Sequence, residues 1–185
     1  MDKVQAIFKS TLRLIHQFGF HGTPMSQIAK HADVAIGTIY HYFESKDELI
    51  FALFKYCKKE VAEYIFKDDS IEKEFKERFF ALWLNFVRFY IDNPEYLSFL
   101  DQFYSSPYLQ QALTNETICG QDHVSAFLHE GVNAGAVKNL DTNILSVVFI
   151  GTAVSTVKRH LHSLHQFDKK SLNHIIEVIW DGIKK

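Results

Sequence analysis

The chain has 185 residues, 47% of them hydrophobic and 23% charged, with a net charge of −2 at neutral pH. That apolar share supports a real core, which excludes a disordered chain, and the slight acidity excludes a whole surface attractive to nucleic acid. Cys57 and Cys119 stand alone, without metal-ligand spacing, and fit reduced thiols of a cytoplasmic protein.

No β-type alternation of any length appears. The three prolines each follow a residue able to cap a helix, at Thr23-Pro24, Asn93-Pro94 and Ser106-Pro107, so proline marks helix entrances. The predicted class is all-α, a small N-terminal three-helix head with a helix-turn-helix ahead of a larger helical body. The expected division is 1–48 for the head and 49–185 for the body. The predicted helices cover 2–18, 24–32, 36–43, 46–66, 71–92, 95–104, 107–131 with a break near Gly120, 142–164 and 169–183.

In the head, Thr23 caps and Pro24 opens a helix whose inward stripe is Ile28, Ala29 and Ala32. Asp33-Val34-Ala35 forms the turn, with Val34 plugging the space between helices. Ile36 to Phe43 forms a short reading helix, of the kind that enters a DNA major groove. Ile39 and Phe43, four apart, face inward, so Tyr40 and His41 point elsewhere. Gly37 allows close approach of backbone to a phosphate or base edge, and Thr38 offers a hydroxyl and a methyl. Ser45 and Glu48 make a capping box for the next helix. Lys46, a cation in a first helical turn, runs against the helix dipole and is expected to meet a phosphate. The DNA-contacting set is therefore Thr23, Gly37, Thr38, Tyr40, His41, Tyr42 and Lys46.

The run Gly37-Thr38-Ile39-Tyr40-His41-Tyr42-Phe43, followed at once by Ser45-Lys46-Asp47-Glu48-Leu49, resembles the TetR family of one-component bacterial regulators. The family pattern is met at Gly37, Tyr40, Tyr42, Phe43, Lys46 and Leu49. Ile36 departs from it, since many members carry a polar or basic residue there. Charge is split to match. Residues 1–60 hold 8 Lys/Arg against 6 Asp/Glu, and residues 61–185 hold 12 against 16. The potential of the head is thus mildly positive, and binding should be salt-sensitive with few phosphate contacts per subunit.

In the body, 71–92 carries apolar residues on most of its circumference, the mark of a helix in the middle of a bundle. Residues 66–130 hold 14 of the 27 aromatics. Such rings at helical spacing make a core, and they also suit a cavity for an apolar small molecule, which the resemblance favours. The candidate lining is Trp83, Phe86, Tyr90, Phe99, Phe103, Tyr104, His123 and Phe127, with Asn85, Tyr104 or His123 as polar anchors. The longest apolar run, Ile144 to Val154, is interrupted by Ser146, Gly151 and Thr152. It is shorter than the roughly 20 residues of a membrane span, and Met1-Asp2-Lys3 opens no secretory segment. The last two helices present Leu145, Val148, Phe149 and Thr152, and Ile175, Ile176, Ile179 and Trp180. TetR-like proteins pair through a four-helix bundle of these two helices, so a homodimer is expected.

In His160-Leu161-His162-Ser163-Leu164-His165 only His162 and His165 have ligand spacing, without a nearby carboxylate or thiol, and no metal site is expected. There is no Gly-rich phosphate loop, nucleophile elbow or His-Glu-x-x-His. The expectation is a non-enzyme with no catalytic residue and no cofactor. Its partners are a double-stranded operator, an apolar effector and a second copy, without a membrane. The function read from these features is a repressor released from a palindromic operator by a hydrophobic molecule. The alternative, motivated by the acidic balance and Ile36, is a helical lipid- or small-molecule-binding protein whose head has lost DNA binding.

Overall fold

A computed structural model describes residues 2–114 and 122–185, and within them the chain forms ten helices and no strand. Helix α1 (Lys3–Phe18) is capped by the Asp2 carboxylate, which accepts from the Val4 N–H at 3.1 Å. It ends at Gly19, whose φ of +69° suits glycine and whose N–H bonds to the Ile15 carbonyl. Its inner face, Ile7, Phe8, Leu12, Leu14 and Ile15, is buried. Helix α2 (Met25–His31) and α3 (Ile36–Tyr42) follow, joined by a turn in which Asp33 adopts a φ of +54°. Helix α4 (Lys46–Phe66) starts with Ser45 Oγ accepting from Glu48 N–H at 3.1 Å, while Glu48 reaches back to the Glu44 N–H at 2.6 Å. The capping box thus forms, its return bond taken by residue 44 rather than 45.

Helix α5 (Phe75–Asp92) begins four residues later than expected, because residues 67–73 make turns. Helices α6 (Pro94–Tyr104) and α7 (Pro107–Leu113) both open on proline. Only Ser106 of the three pre-proline residues caps through its side chain, accepting from Tyr108 N–H at 3.3 Å. Of the helix expected over 107–131, the described residues form α7 and, further on, α8 (His123–Asn133). The break near Gly120, like Cys119, lies outside the described residues. Helix α9 (Thr142–Leu161) and α10 (Lys169–Ile183) complete the chain, and Val137 makes a one-residue antiparallel bridge with Lys184.

These helices sort into two packing units. The first contains the described residues within Met1–Glu60 and Asn93–Gly120, and the second those within Val61–Asp92 and Gln121–Lys185. Both differ from a division at 48/49. In the first unit α6 lies against α1, and Gln102 Nε2 donates to the Ile15 carbonyl at 3.2 Å. Phe54 stacks on Phe103 at 4.1 Å, and Leu49, Leu53 and Cys57 of α4 are buried with them. In the second unit α5 packs on α9 and α10, and α9 also packs on α8. Each large side chain buried in this way contributes about 1.5–3 kcal/mol.

Helix α9 corrects one reading of the sequence. It has 20 residues with a mean hydropathy of 1.3, long and apolar enough by length and composition to cross a membrane. Counting an uninterrupted apolar run missed this, because the interruptions are small and mildly polar. One stripe of it, Leu145, Phe149, Ala153 and Val157, is buried in the second unit.

Candidate nucleic-acid interface

The reading helix α3 has a closed inner side and an open outer one. Ile39 is fully buried and Phe43 nearly so, its ring 5.8 Å from that of Phe8. Tyr40, next to Ile39, is 51% exposed, Ile36, one turn before Tyr40, is 45% exposed, and His41 and Tyr42 are exposed with their rings edge-on at 5.2 Å. Thr38 is half-buried. A side chain built at Gly37 would meet nothing within 4 Å, so packing does not require the glycine. This arrangement follows from helical periodicity: positions 39 and 43 share a stripe, and 36 and 40 share another. Gly37, Tyr40 and His41 share the open side, and the exposed Tyr42 adjoins it through its ring contact with His41.

Two residues of the expected set do structural work instead. Thr23 is fully buried and does not cap; its hydroxyl donates to the Gly19 carbonyl at 2.8 Å. A hydroxyl turned into the protein does not reach a phosphate. Lys46 is half-buried and its ammonium donates to the Phe20 carbonyl. Burial pulls its pKa down, with Asp47 opposing. A phosphate would have to compete for that ammonium. The exposed polar residues Ser26, Gln27 and Lys30 of α2 lie outside the expected set. Their helical spacing away from Ile28 and Ala29 was available as a signal.

The contacts that hold the base of α4 come from far along the chain. Tyr108 of α7 donates its hydroxyl to Asp47 Oδ1 at 2.7 Å. Its ring lies edge-on to Phe20 at 5.4 Å and to Phe51 at 5.5 Å. Burial first, and then the bond to Asp47, push the Tyr108 pKa up to about 12.

The expected lining of an effector cavity divides between the units. Trp83, Phe86, Tyr90 and Phe127 are buried in the second and Phe99 and Phe103 in the first; Tyr104 of the first and His123 of the second are exposed. In the second unit Phe86 and Tyr90 are in edge contact at 4.9 Å, and Phe75 stacks on Phe127 at 4.6 Å. Trp83 Nε1 donates to Thr152 Oγ1 at 3.1 Å, and Asn85 Nδ2 donates to the Ile65 carbonyl at 3.1 Å. In the first, Phe103 lies 6.1 Å from Phe99 and 6.3 Å from Tyr104. Arg78 is a buried cation that sequence reading missed. It forks onto Asp69 with two bonds of 2.8 Å, also pairs with Glu130, and lies over the Phe127 ring at 5.1 Å.

On the last two helices, Leu145, Phe149, Ile176, Ile179 and Trp180 are buried within the second unit, and Val148, Thr152 and Ile175 are half-buried. Phe149 meets Phe79 at 5.2 Å, and Trp180 meets Phe79 at 5.5 Å. The outward apolar residues are others: Ile144 and Val147 on α9, the latter 72% exposed, and Val178 on α10, 74% exposed. Gly151 and Gly182 lie beside them in open space. Five of the eight residues expected to pair thus lie on the core side of their helices, where the largest side chains are, and three lie at its margin. Of the three histidines near residue 160, His160 Nδ1 accepts from Phe167 N–H at 3.2 Å and the His165 ring meets Phe167 at 4.6 Å. Among the described residues no group of three or more His, Cys, Asp or Glu converges on one point.

Comparison with known proteins matches this geometry. Residues 7–53 match the bacterial regulatory proteins of the tetR family, and residues 74–184 match the tetracyclin repressor-like C-terminal domain. An HTH-type transcriptional regulator of Haemophilus influenzae is 31% identical over 100% of this chain and 97% of its own length. The crystal structure of a TetR-family transcriptional regulator from that organism superposes with a TM-score of 0.87, at 30% identity, over 100% of this chain and 97% of the other. The fatty acid metabolism regulator protein of Bacillus subtilis is 28% identical over 98% of this chain and 95% of its own. The structure of the transcriptional regulator FadR from Bacillus subtilis in complex with stearoyl-CoA shares the fold, with a TM-score of 0.72 at 24% identity over 97% of this chain and 98% of the other.

Proposed function

The chain belongs to the tetR family of bacterial regulatory proteins, and from that premise we propose that it represses transcription as a homodimer released by an apolar effector. It is a helix-turn-helix transcription regulator, and its action is binding rather than catalysis, in the cytoplasm where its operator lies. The carrying observation is α3 itself, with Ile39 and Phe43 inward and Tyr40 outward. Gly37, Thr38, Tyr40, His41 and Tyr42 meet the operator. Thr23 and Lys46 hold the head together.

Dimerisation uses the outward sides of α9 and α10. Ile144, Val147 and Val178 lose water there, and Gly151 and Gly182 let the backbones of two copies approach. A symmetric pair then presents two α3 helices to half-sites roughly 34–36 Å apart. The effector is an apolar molecule of the long-chain acyl class, taken up among the rings of the second unit near Trp83, Phe86, Tyr90 and Phe127. Support comes from the aromatic density of α5 and from the Bacillus subtilis relatives. Release follows from unequal affinity for two states, about 1.4 kcal/mol for each tenfold loss of operator affinity.

The test is an anisotropy titration of the full chain against duplexes recovered from a randomised pool, repeated with palmitoyl-CoA and stearoyl-CoA. The expected result is nanomolar binding to a palindrome, weakened at least tenfold by one of the two. Failure to recover any duplex at low salt would overturn the operator assignment. Recovery without any acyl-CoA response would overturn the effector assignment alone.

A further inference from the structure

The outer side of the α3 entrance lacks the chemistry that usually reads DNA. Ala35 and Ile36 are exposed, Gly37 has open space around it, and none of the three has a side-chain donor or acceptor. Hydrogen-bonded base readout from this segment is therefore impossible through side chains. What the segment offers is the Ile36 side chain, 45% exposed, one turn from Tyr40 on the same outward side. In the major groove the C5-methyl of thymine is the one apolar group that projects from a base edge; the C5–H of cytosine is flush, and the other edge positions are donors and acceptors. An isoleucine pressed on those would strip them of water without replacing their bonds.

We propose that Ile36 is a specificity-determining residue that selects a thymine in each operator half-site by burying its methyl group. This rests on the operator-binding reading above and adds to it the base and the atom recognised. Gly37 serves the same contact, since a larger residue beside Ile36 would hold the helix away from the groove.

The experiment uses the full chain and the tightest duplex from the randomised pool. Each thymine is replaced in turn by uracil, which removes the methyl and nothing else. One thymine per half-site should be sensitive. Its loss weakens binding about fourfold, and loss in both half-sites about fifteenfold, the worth of roughly one buried methyl each. The Ile36→Ala protein should bind the thymine and uracil duplexes equally, within about twofold, and, being changed at an exposed site, melt with the wild type. A tight duplex in which no uracil substitution matters would overturn the inference and leave the operator reading standing. So would an Ile36→Ala protein that keeps the methyl preference. A pool that yields no duplex would overturn the operator reading, and this inference with it.

Discussion

Arg78 shows how much one side chain can hold. It is buried, its fork is filled by Asp69, and Glu130 and the Phe127 ring occupy its remaining sides. Replacing it with alanine leaves Asp69, which is itself largely buried, without its cation. The expected cost is about 2–3 kcal/mol, below the range for a wholly buried pair because Glu130 is partly solvated. A thermal melt should show a midpoint lower by roughly 5–10 °C. At the other end of the chain, Tyr40→Ala removes the largest outward group of α3. Operator affinity should fall about ten- to a hundredfold with the melting curve unchanged, measured by anisotropy. The two residues differ in legibility. Tyr40 was placed by its offset from Ile39 and Phe43, a local rule. Arg78 was missed because its partners are 9 and 52 positions away, and no local rule brings Asp69 and Glu130 together.

Between elements, the sequence was clearest where the chain carries its own punctuation. Pro24, Pro94 and Pro107 stand at helix entrances, and Ser45 with Glu48 starts α4. It was silent on which helices meet, because α1 packs on α6, nearly 80 residues on, through plain apolar faces. Tyr108 is the sharpest instance: α7 reaches back to Asp47 at the start of α4. Its raised pKa has a sign. The folded chain keeps the phenol protonated, so the stability it contributes is present below about pH 10 and is lost as pH rises through about 12. The melting midpoint of the wild type should therefore drop more steeply between those pH values than that of Tyr108→Phe; equal slopes would refute this. For α9 and α10, Val147→Asp or Val178→Asp should convert a dimer into a monomer in sedimentation velocity, because a charge would be buried at the paired faces. Helix content should not change, since both positions are exposed in the single chain.

For the whole molecule, the charge balance matters most on DNA. Residues 1–60 carry only two net positive charges while the chain as a whole carries −2. Where exposed cations of the head such as Lys30 meet phosphates, the plot of log affinity against log salt should fall with a slope of about −0.9 for each phosphate neutralised. A flat plot would contradict phosphate binding. The class and the helix-turn-helix were legible in the sequence because each rests on periodicity or on a compact motif. The packing units were not, since they join segments separated by long stretches of chain. One atom links these scales. Gly37 sits in a helix with empty space where a side chain would be. Alanine there would relieve the entropic cost of glycine by up to about 1 kcal/mol. The folded protein would gain robustness and lose its grip on the operator, so at this position durability and regulation pull in opposite directions.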